Sequence, residues 1–449
     1  MQFYFFKTPL FTGILKYRSL KSFTINSFIN IATLIVNKYR GFRHILMYNF
    51  ASSFLARTVQ FLKNNNISVK QLLQFIPEEL LADLAQETRV DYQVKKTFGK
   101  NFFYLLLYGL LETTRVSQRS LEDVFKSGKF KFLFNLADQK NFKHNTISTR
   151  LANINCVFFE KIYHYTYELF SNEFSTQDAA KYKITRVDST MVCETANKLA
   201  EGMTVGKKKN GKKQIKYTIS LTDMFPSSVE VFSKQSELSE DLTIPKVVLK
   251  NIDKKKNNIF TWDRGVIKRK NLADIDSEGF IFVTRINPNS KTKILCENKI
   301  PENPKHRNLT ILNDQDVYLY GDNKIVETEF RVIKTINEKE EPLWFLANGP
   351  ELSAKEILDI YKRRWDIEVF NRFIKQELNF SHFLSTNING IKVVLYMTLI
   401  LSMLILVYKK FNNLGYKTAK RRFYYELDEL IMSIAIVLCG GNPEMVLRL

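Results

Sequence analysis

The chain is poor in cysteine: there are four in 449 residues, at positions 156, 193, 296 and 439, and none has CxxC spacing. That excludes a disulfide framework or a thiolate zinc centre as the organising element and suits a reducing cytoplasm. Acid is missing from the first 46 residues, which hold seven Lys/Arg and no Asp or Glu. Their composition is leader-like, but they lack a compact apolar stretch ending in a small-residue cleavage site. The expectation is translation from an upstream start, with Met47 as the true beginning. A comfortable membrane span is also missing. The continuous apolar run at 393–408 (VVLYMTLILSMLILVY) has 16 residues, where a span needs about 20, so a buried core helix is expected there. No internal repeat is visible.

What the chain does have is basic charge and apolar mass. Lys and Arg total 67 against 46 Asp and Glu, a formal charge of +21 with a pI near 9.5. This points to a polyanionic partner, nucleic acid first and an anionic membrane surface second. Hydrophobic residues make up 45%, enough to fold, and the length predicts two to four domains.

From Met47 to about residue 171 apolar residues recur every three or four positions, predicting helices at FASSFLARTVQFL, SVKQLLQFI, PEELLADLAQ and NFFYLLLYGLLETT. Ser120-Leu-Glu-Asp123 has the form of a capping box opening another helix. The period then changes. Strands are expected at 183–192, 213–223, 227–235, 258–262 and 280–286, with helices near 245–250 and 267–274. This order predicts an α/β fold, a mixed sheet flanked by helices. The runs TKILC, NLTIL, DVYLYG, ETEFRVIKTI and PLWFLAN form a β-rich insertion, and helices return before the C-terminus. The predicted division is a basic extension (1–46), a helical DNA-binding region (47–175), a catalytic core in two parts (176–286 and 349–410) split by the insertion (287–348), and a helical C-terminal region (411–449). Within the lysine-rich stretch GKKKNGKKQIK, the asparagine-glycine pair predicts a hairpin turn.

Two aspartates fall where chemistry collects in α/β sheets: Asp188 in VDSTM, in or at the end of the first strand, and Asp263 in TWDRG, directly after the fourth. Each has a plainer reading, as a capped turn or a simple turn. A third acid, Glu368, lies in YKRRWDIEVFNRFIKQELNF (361–380). At about 100° per residue, Tyr361, Arg364, Glu368 and Lys375 share an arc of about 60° on one continuous helix. Arg364 and Glu368 could be an i,i+4 ion pair. Three carboxylates on one sheet edge are also what magnesium-dependent phosphodiester chemistry requires.

The spacing Tyr361-x2-Arg364-x3-Glu368-x6-Lys375 resembles the Y-R-E-K signature of cut-and-paste DDE transposases from bacterial insertion sequences. Asp188 and Asp263 stand where that family has its two aspartates. The resemblance covers roughly residues 50–410. It implies an RNase H-like core in which Asp188, Asp263 and Glu368 bind two Mg2+ ions, with Mn2+ as a substitute. It implies that Tyr361, Arg364 and Lys375 hold DNA phosphates, and that Trp344 stacks on a base flipped from a terminal hairpin. The implied partners are double-stranded DNA with terminal inverted repeats, target DNA and a second copy of the chain in a synaptic homodimer, with no membrane. The implied location is the bacterial cytoplasm, at the nucleoid. The basic runs at 207–213, 254–256 and 268–270 are expected to add backbone contacts, with Arg264 a further candidate. The alternatives are a related RNase H-like nuclease and a catalytically idle DNA-binding descendant of a transposase.

Overall fold

Seven helices precede the first strand among the described residues: α1 (Val69–Leu73), α2 (Glu78–Thr88), α3 (Gly99–Leu111), α4 (Gln118–Lys126), α5 (Gly128–Leu133), α6 (His144–Asn153) and α7 (Cys156–Glu173). The computed structural model describes residues 66–111, 115–174, 182–195, 198–206, 211–251, 258–349, 352–443 and 445. The extension at 1–46, the helix expected at 50–62, the lysines at 207–209 and 254–256, and Asn210 of the expected hairpin turn lie outside them.

Helix starts follow local side-chain chemistry. Ser68 and Gln71 close a capping box on α1. The cap of α4 is not the expected Ser120 but Ser117. Its Oγ accepts the Ser120 N–H at 3.1 Å, and the Ser120 hydroxyl accepts the Ser117 N–H at 2.8 Å. The reciprocal pair three residues upstream satisfies two otherwise orphaned donors.

The apolar run at 393–408 lies within α12 (Ile388–Phe411), which is followed by α13 (Tyr416–Leu438). Helix α12 is long and apolar enough to cross a membrane, but 89% of its most apolar 18-residue window is buried by protein. It packs on α3, α6, α7 and α13 and reaches strand β4 (Phe225–Phe232). The C-terminal helices and the N-terminal ones therefore share one helical layer.

Among the described residues the sheet has eleven strands: β1 (Lys183–Thr195), β2 (Met203–Val205), β3 (Lys212–Thr222), β4, β5 (Asn258–Thr261), β6 (Ile281–Ile286), β7 (Thr292–Glu297), β8 (Lys305–His306), β9 (Leu309–Gly321), β10 (Lys324–Asn337) and β11 (Pro342–Ala347). Its first half runs β4-β3-β1-β5-β6. The β4/β3 and β3/β1 pairs are antiparallel, and β1/β5 and β5/β6 are parallel. Three antiparallel strands followed by two parallel ones form the RNase H-like order. The insertion strands continue this sheet, because β11 pairs antiparallel with β6.

NLTIL and DVYLYG, two runs in the sequence, are one strand, β9. The polar residues between them are accommodated because buried Asp314 is paired to Arg331, with Nε and Nη2 at 2.8 and 2.6 Å. Two cores lie on opposite faces of the sheet. One gathers Val187, Phe260, Trp262 and Phe282 under helix α8 (Glu240–Leu249) and helix α9 (Arg269–Ser277). The other gathers Ile184, Ile259, Val283 and Phe345 under α10 (Ala354–Lys362).

Candidate active site

Alternation along β1 decides which face each residue serves. Val187 lies in the α8 and α9 core, while Ile184 lies in the α10 core. Asp188 is in phase with Ile184 and meets α11 (Trp365–Glu377), where the Asn371 Nδ2 donates to its Oδ2 at 2.9 Å. Burial foremost, and next the Glu240 carboxylate, push the Asp188 carboxyl up to about 6. The Arg364 guanidinium, the Ser189 N–H and Asn371 oppose that rise. Glu240 reaches this strand from α8, accepting from Ser189 Oγ at 3.0 Å and pairing with buried Lys216 at 3.0 Å.

Asp263 follows β5 in an exposed turn. That turn is fastened to α8 through a consequence of Pro245. Proline inside a helix lacks the N–H that would bond the carbonyl four residues back. The freed Asp241 carbonyl accepts Asn271 Nδ2 at 2.6 Å instead. Asp241 Oδ1 takes the N–H groups of Ile267 and Lys268 at 2.7 and 2.8 Å. Helix α8 begins five residues before the expected start because Ser239 caps it, its Oγ accepting the Asp241 N–H at 3.2 Å. Gly265 is required by close approach, since a Cβ there would lie 2.8 Å from Glu240 Cγ.

Glu368 is on α11, but the continuous helix expected from Tyr361 to Lys375 is broken. Helix α10 ends at Lys362, α11 begins at Trp365, and bonds of the i to i−3 type bridge the junction (Arg364 N to Tyr361 O at 2.9 Å, Asp366 N to Arg363 O at 3.2 Å). Such tightening is typical where two helical segments meet at an angle. The side chains nonetheless stay together. Arg364 Nη2 pairs with Glu368 Oε1 at 2.6 Å, and its guanidinium lies 5.6 Å from the Tyr361 ring centroid. The Tyr361 hydroxyl donates to Asp263 Oδ1 at 3.3 Å. Burial pulls the Arg364 guanidinium down, and Tyr361, Glu368 and Asp263 together more than reverse this. Burial, chiefly, pushes the Tyr361 phenol up to about 12. One guanidinium thus sits in the field of all three acids.

The remaining expected residues are placed differently. The Lys375 ammonium donates to the Met191 carbonyl of β1 at 2.9 Å, and burial lowers its pKa. Trp344 is not brought to the site. It packs with Leu346 in the core under α8 and α9, on the face opposite Tyr361, and Lys334 lies 4.5 Å over its ring. Arg264 is exposed beside Asp263, with its backbone N–H on Asp263 Oδ1 at 2.7 Å. Lys268 is exposed at the end of the same connection, and Lys270 is exposed in the first turn of α9.

Sequence reasoning missed four residues here. Arg285 of β6 lies 6.0 Å from the Tyr361 ring centroid, and its buried Nε has no hydrogen-bond partner among the described residues. Trp365, next to Arg364, is 52% exposed. Asn371 and Arg186 touch the site from α11 and β1. Only Trp365 carried a sequence signal, as an aromatic inside the Y-R-E-K stretch.

Among the described residues no three Asp, Glu, His or Cys side chains lie close enough together to form a ready-made metal cluster. The donors present still suit a hard cation. They are carboxylates, joined by the Asn371 Oδ1, which is buried and unpartnered beside Asp188.

The profile of the family described as "Transposase DDE domain" matches residues 179–404, half of the chain. The chain belongs to that family. The match begins just ahead of β1 and ends within α12, so it takes in Asp188, Asp263 and Glu368. A protein of Sinorhizobium fredii (strain NBRC 101917 / NGR234), provisionally named transposase y4zB, is 28% identical over 157 residues. That alignment spans 34% of this chain and 44% of the relative, less than half its length. A cryo-EM structure of the piggyBac transposase synaptic complex with hairpin DNA is similar at a TM-score of 0.44 and 10% identity, over 83% of this chain and 82% of that one. DDE transposases as a family use divalent metal ions.

Proposed function

We propose that this DDE-family protein cleaves DNA at the ends of an insertion sequence and joins the freed 3′ ends to a target by cut-and-paste transposition, within the Y-R-E-K group. The observation that carries the reading is the Arg364 guanidinium, which pairs with Glu368 at 2.6 Å, lies against the Tyr361 ring whose hydroxyl reaches Asp263, and acts on the buried Asp188 carboxyl. Asp188, Asp263 and Glu368 would hold magnesium, or manganese in its place. When bound, the metal supplies activation of the attacking oxygen and stabilisation of the leaving oxygen. Arg364, released from Glu368, is then free for a DNA phosphate, with Arg285 across the Tyr361 ring as a second guanidinium for the same backbone. Trp365 is exposed where an unstacked base beside the cut can rest on it. Lys375 holds α11 on β1 and reaches DNA only by giving up the Met191 carbonyl. The partners are double-stranded DNA with terminal repeats, a target duplex and a second copy of the chain, and the working location is the bacterial cytoplasm.

The test is cleavage of a DNA fragment carrying the gene's own flanking sequences, with and without Mg2+, by wild type and Glu368→Gln. Metal-dependent cuts at defined ends, lost at least 1000-fold in the variant while end binding persists, support the reading (on the order of the ~4 kcal/mol that a charge-stabilising group supplies). Binding without cutting by either protein turns it toward an idle DNA-binding descendant.

A further inference from the structure

Helix α11 is fastened along β1 by three side-chain rungs: Arg186 to Asp366, Asp188 to Asn371, and the Met191 carbonyl to Lys375. The spacing is consistent with a helix lying along the strand. Nine helical residues span about 13.5 Å and five strand residues about 16.5 Å. The middle rung uses the candidate catalytic Asp188 itself, and the last a single ammonium. The first is built differently.

Arg186 is 1% exposed, and every bond it makes goes to a different piece of backbone or side chain. Nε donates to the Arg363 carbonyl at 3.0 Å, at the break between α10 and α11. Nη1 donates to the carbonyls of Ile184 and Asp223, at 3.1 and 2.7 Å, the latter in the β3–β4 turn. Nη2 pairs with Asp366 Oδ2 at 2.9 Å. Arg186 precedes Asp188 by two residues on one face of β1, and Asp366 precedes Glu368 by two on α11. The bridge therefore joins the same two elements that carry two of the three acids.

We propose that Arg186 is a positioning residue: through Asp366 and the Arg363 carbonyl it sets where α11 lies on β1, and so where Glu368 stands relative to Asp188. This rests on the metal-dependent reading above. A lysine cannot replace it, since one ammonium cannot span the helix break, the β3–β4 turn and Asp366 together, as a planar guanidinium does. Arg186 is buried and all of these bonds go to protein groups, so the effect assigned to it is indirect. Its effect is on the geometry of the acids, one step beyond groups bonded directly to metal ligands, which typically tune affinity about 10–100-fold, so the low end of that range is expected.

The test is Mn2+ binding by the full chain, followed by calorimetry and by the electron-spin signal of free Mn2+, for wild type, Arg186→Lys, Asp366→Ala, the double variant and Glu368→Gln. The expected result is Mn2+ affinity lowered about tenfold or more in each of the Arg186 and Asp366 variants. The double variant is expected to be no weaker than Arg186→Lys alone, because both changes break one bridge. Metal-free affinity for the flanking DNA fragment stays within twofold. The Asp366 side chain is 53% exposed, so Asp366→Ala is expected to disturb the fold less than Arg186→Lys, and thermal melting of each variant shows that it is folded before its Mn2+ affinity is read. Wild-type Mn2+ affinity in a folded Asp366→Ala overturns the proposal, as does additive loss in the double variant. If wild type binds no Mn2+, or Glu368→Gln binds it as wild type does, the metal reading itself fails and takes the positioning role with it.

Discussion

Arg364 and Glu368 are an ion pair at 2.6 Å, and the Arg364 guanidinium also lies in the field of Asp188 and Asp263. Carboxylates gathered in a partly buried site repel one another unless a cation offsets them. In the metal-free protein Arg364 is that cation. Replacing it with methionine, which keeps the bulk, is expected to cost on the order of 2 kcal/mol, below the ~3–5 typical of a fully buried broken pair. Added Mg2+ is expected to recover the loss, because an ion bound only by the folded state stabilises it. Thermal melting of wild type and Arg364→Met with and without Mg2+ checks this. A deficit that Mg2+ leaves in place counts against the shared-cation account.

A pH dependence of unusual sign follows from Asp188. Its folded carboxyl is raised to about 6 from an ordinary 3.8, so the folded state binds a proton that the unfolded chain releases. Stability from this group is full below the unfolded value and is lost as pH rises through about 6. Denaturant titration of the metal-free wild type and Asp188→Asn between pH 4 and 7 is expected to show the wild type falling behind as pH rises. Parallel curves would exclude a raised carboxyl at this position.

Arg285 stands against the Tyr361 ring, with its buried Nε unpartnered among the described residues. As a backbone contact, its replacement by alanine is expected to weaken DNA binding similarly for all sequences and reduce the salt slope by about 1. Binding isotherms at several salt concentrations measure this directly. An unchanged slope would return Arg285 to a purely structural role against Tyr361.

The two tryptophans are expected to separate cleanly. Trp344→Ala removes a ring packed on the core under α8 and α9, and is expected to lower the melting temperature, with a cost toward the low end of ~3–5 kcal/mol. Trp365→Ala touches a half-exposed ring. It is expected to leave melting unchanged while weakening the complex with cut ends by about 1–3 kcal/mol if a base stacks there. Melting curves paired with binding to cut-end DNA distinguish the outcomes, and the reverse pattern would move stacking back to Trp344.

Much of the fold was legible because strand and helix periods leave a direct trace. The strand runs beginning at 183, 213, 227, 258 and 280 all became strands of the sheet, and the run at 393–408 became buried helix. What the periods could not show was pairing. Strand β2 is too short to leave a period, and β9 looked like two runs because Asp314 interrupts its apolar pattern. The choice of cap was similarly ambiguous: Ser117 and Ser120 both suit a helix start, and only their mutual hydrogen bonds select Ser117.

The sequence by itself determined the class of the molecule: an α/β chain with a strong basic excess, one aspartate in the first strand and another just after a later one, and a glutamate set in a tyrosine-arginine-lysine pattern. Those properties are local in the chain, written in composition, period and spacing. Only the tertiary structure decided which face of the sheet each residue serves. It placed Trp344 away from Tyr361, bound Lys375 to β1, and set Arg285 against Tyr361 although 76 residues separate them in the chain. The reason is geometric. One step along a strand reverses the face, and the pairing of distant strands fixes the neighbour, so contacts made across the sheet leave no mark in local spacing.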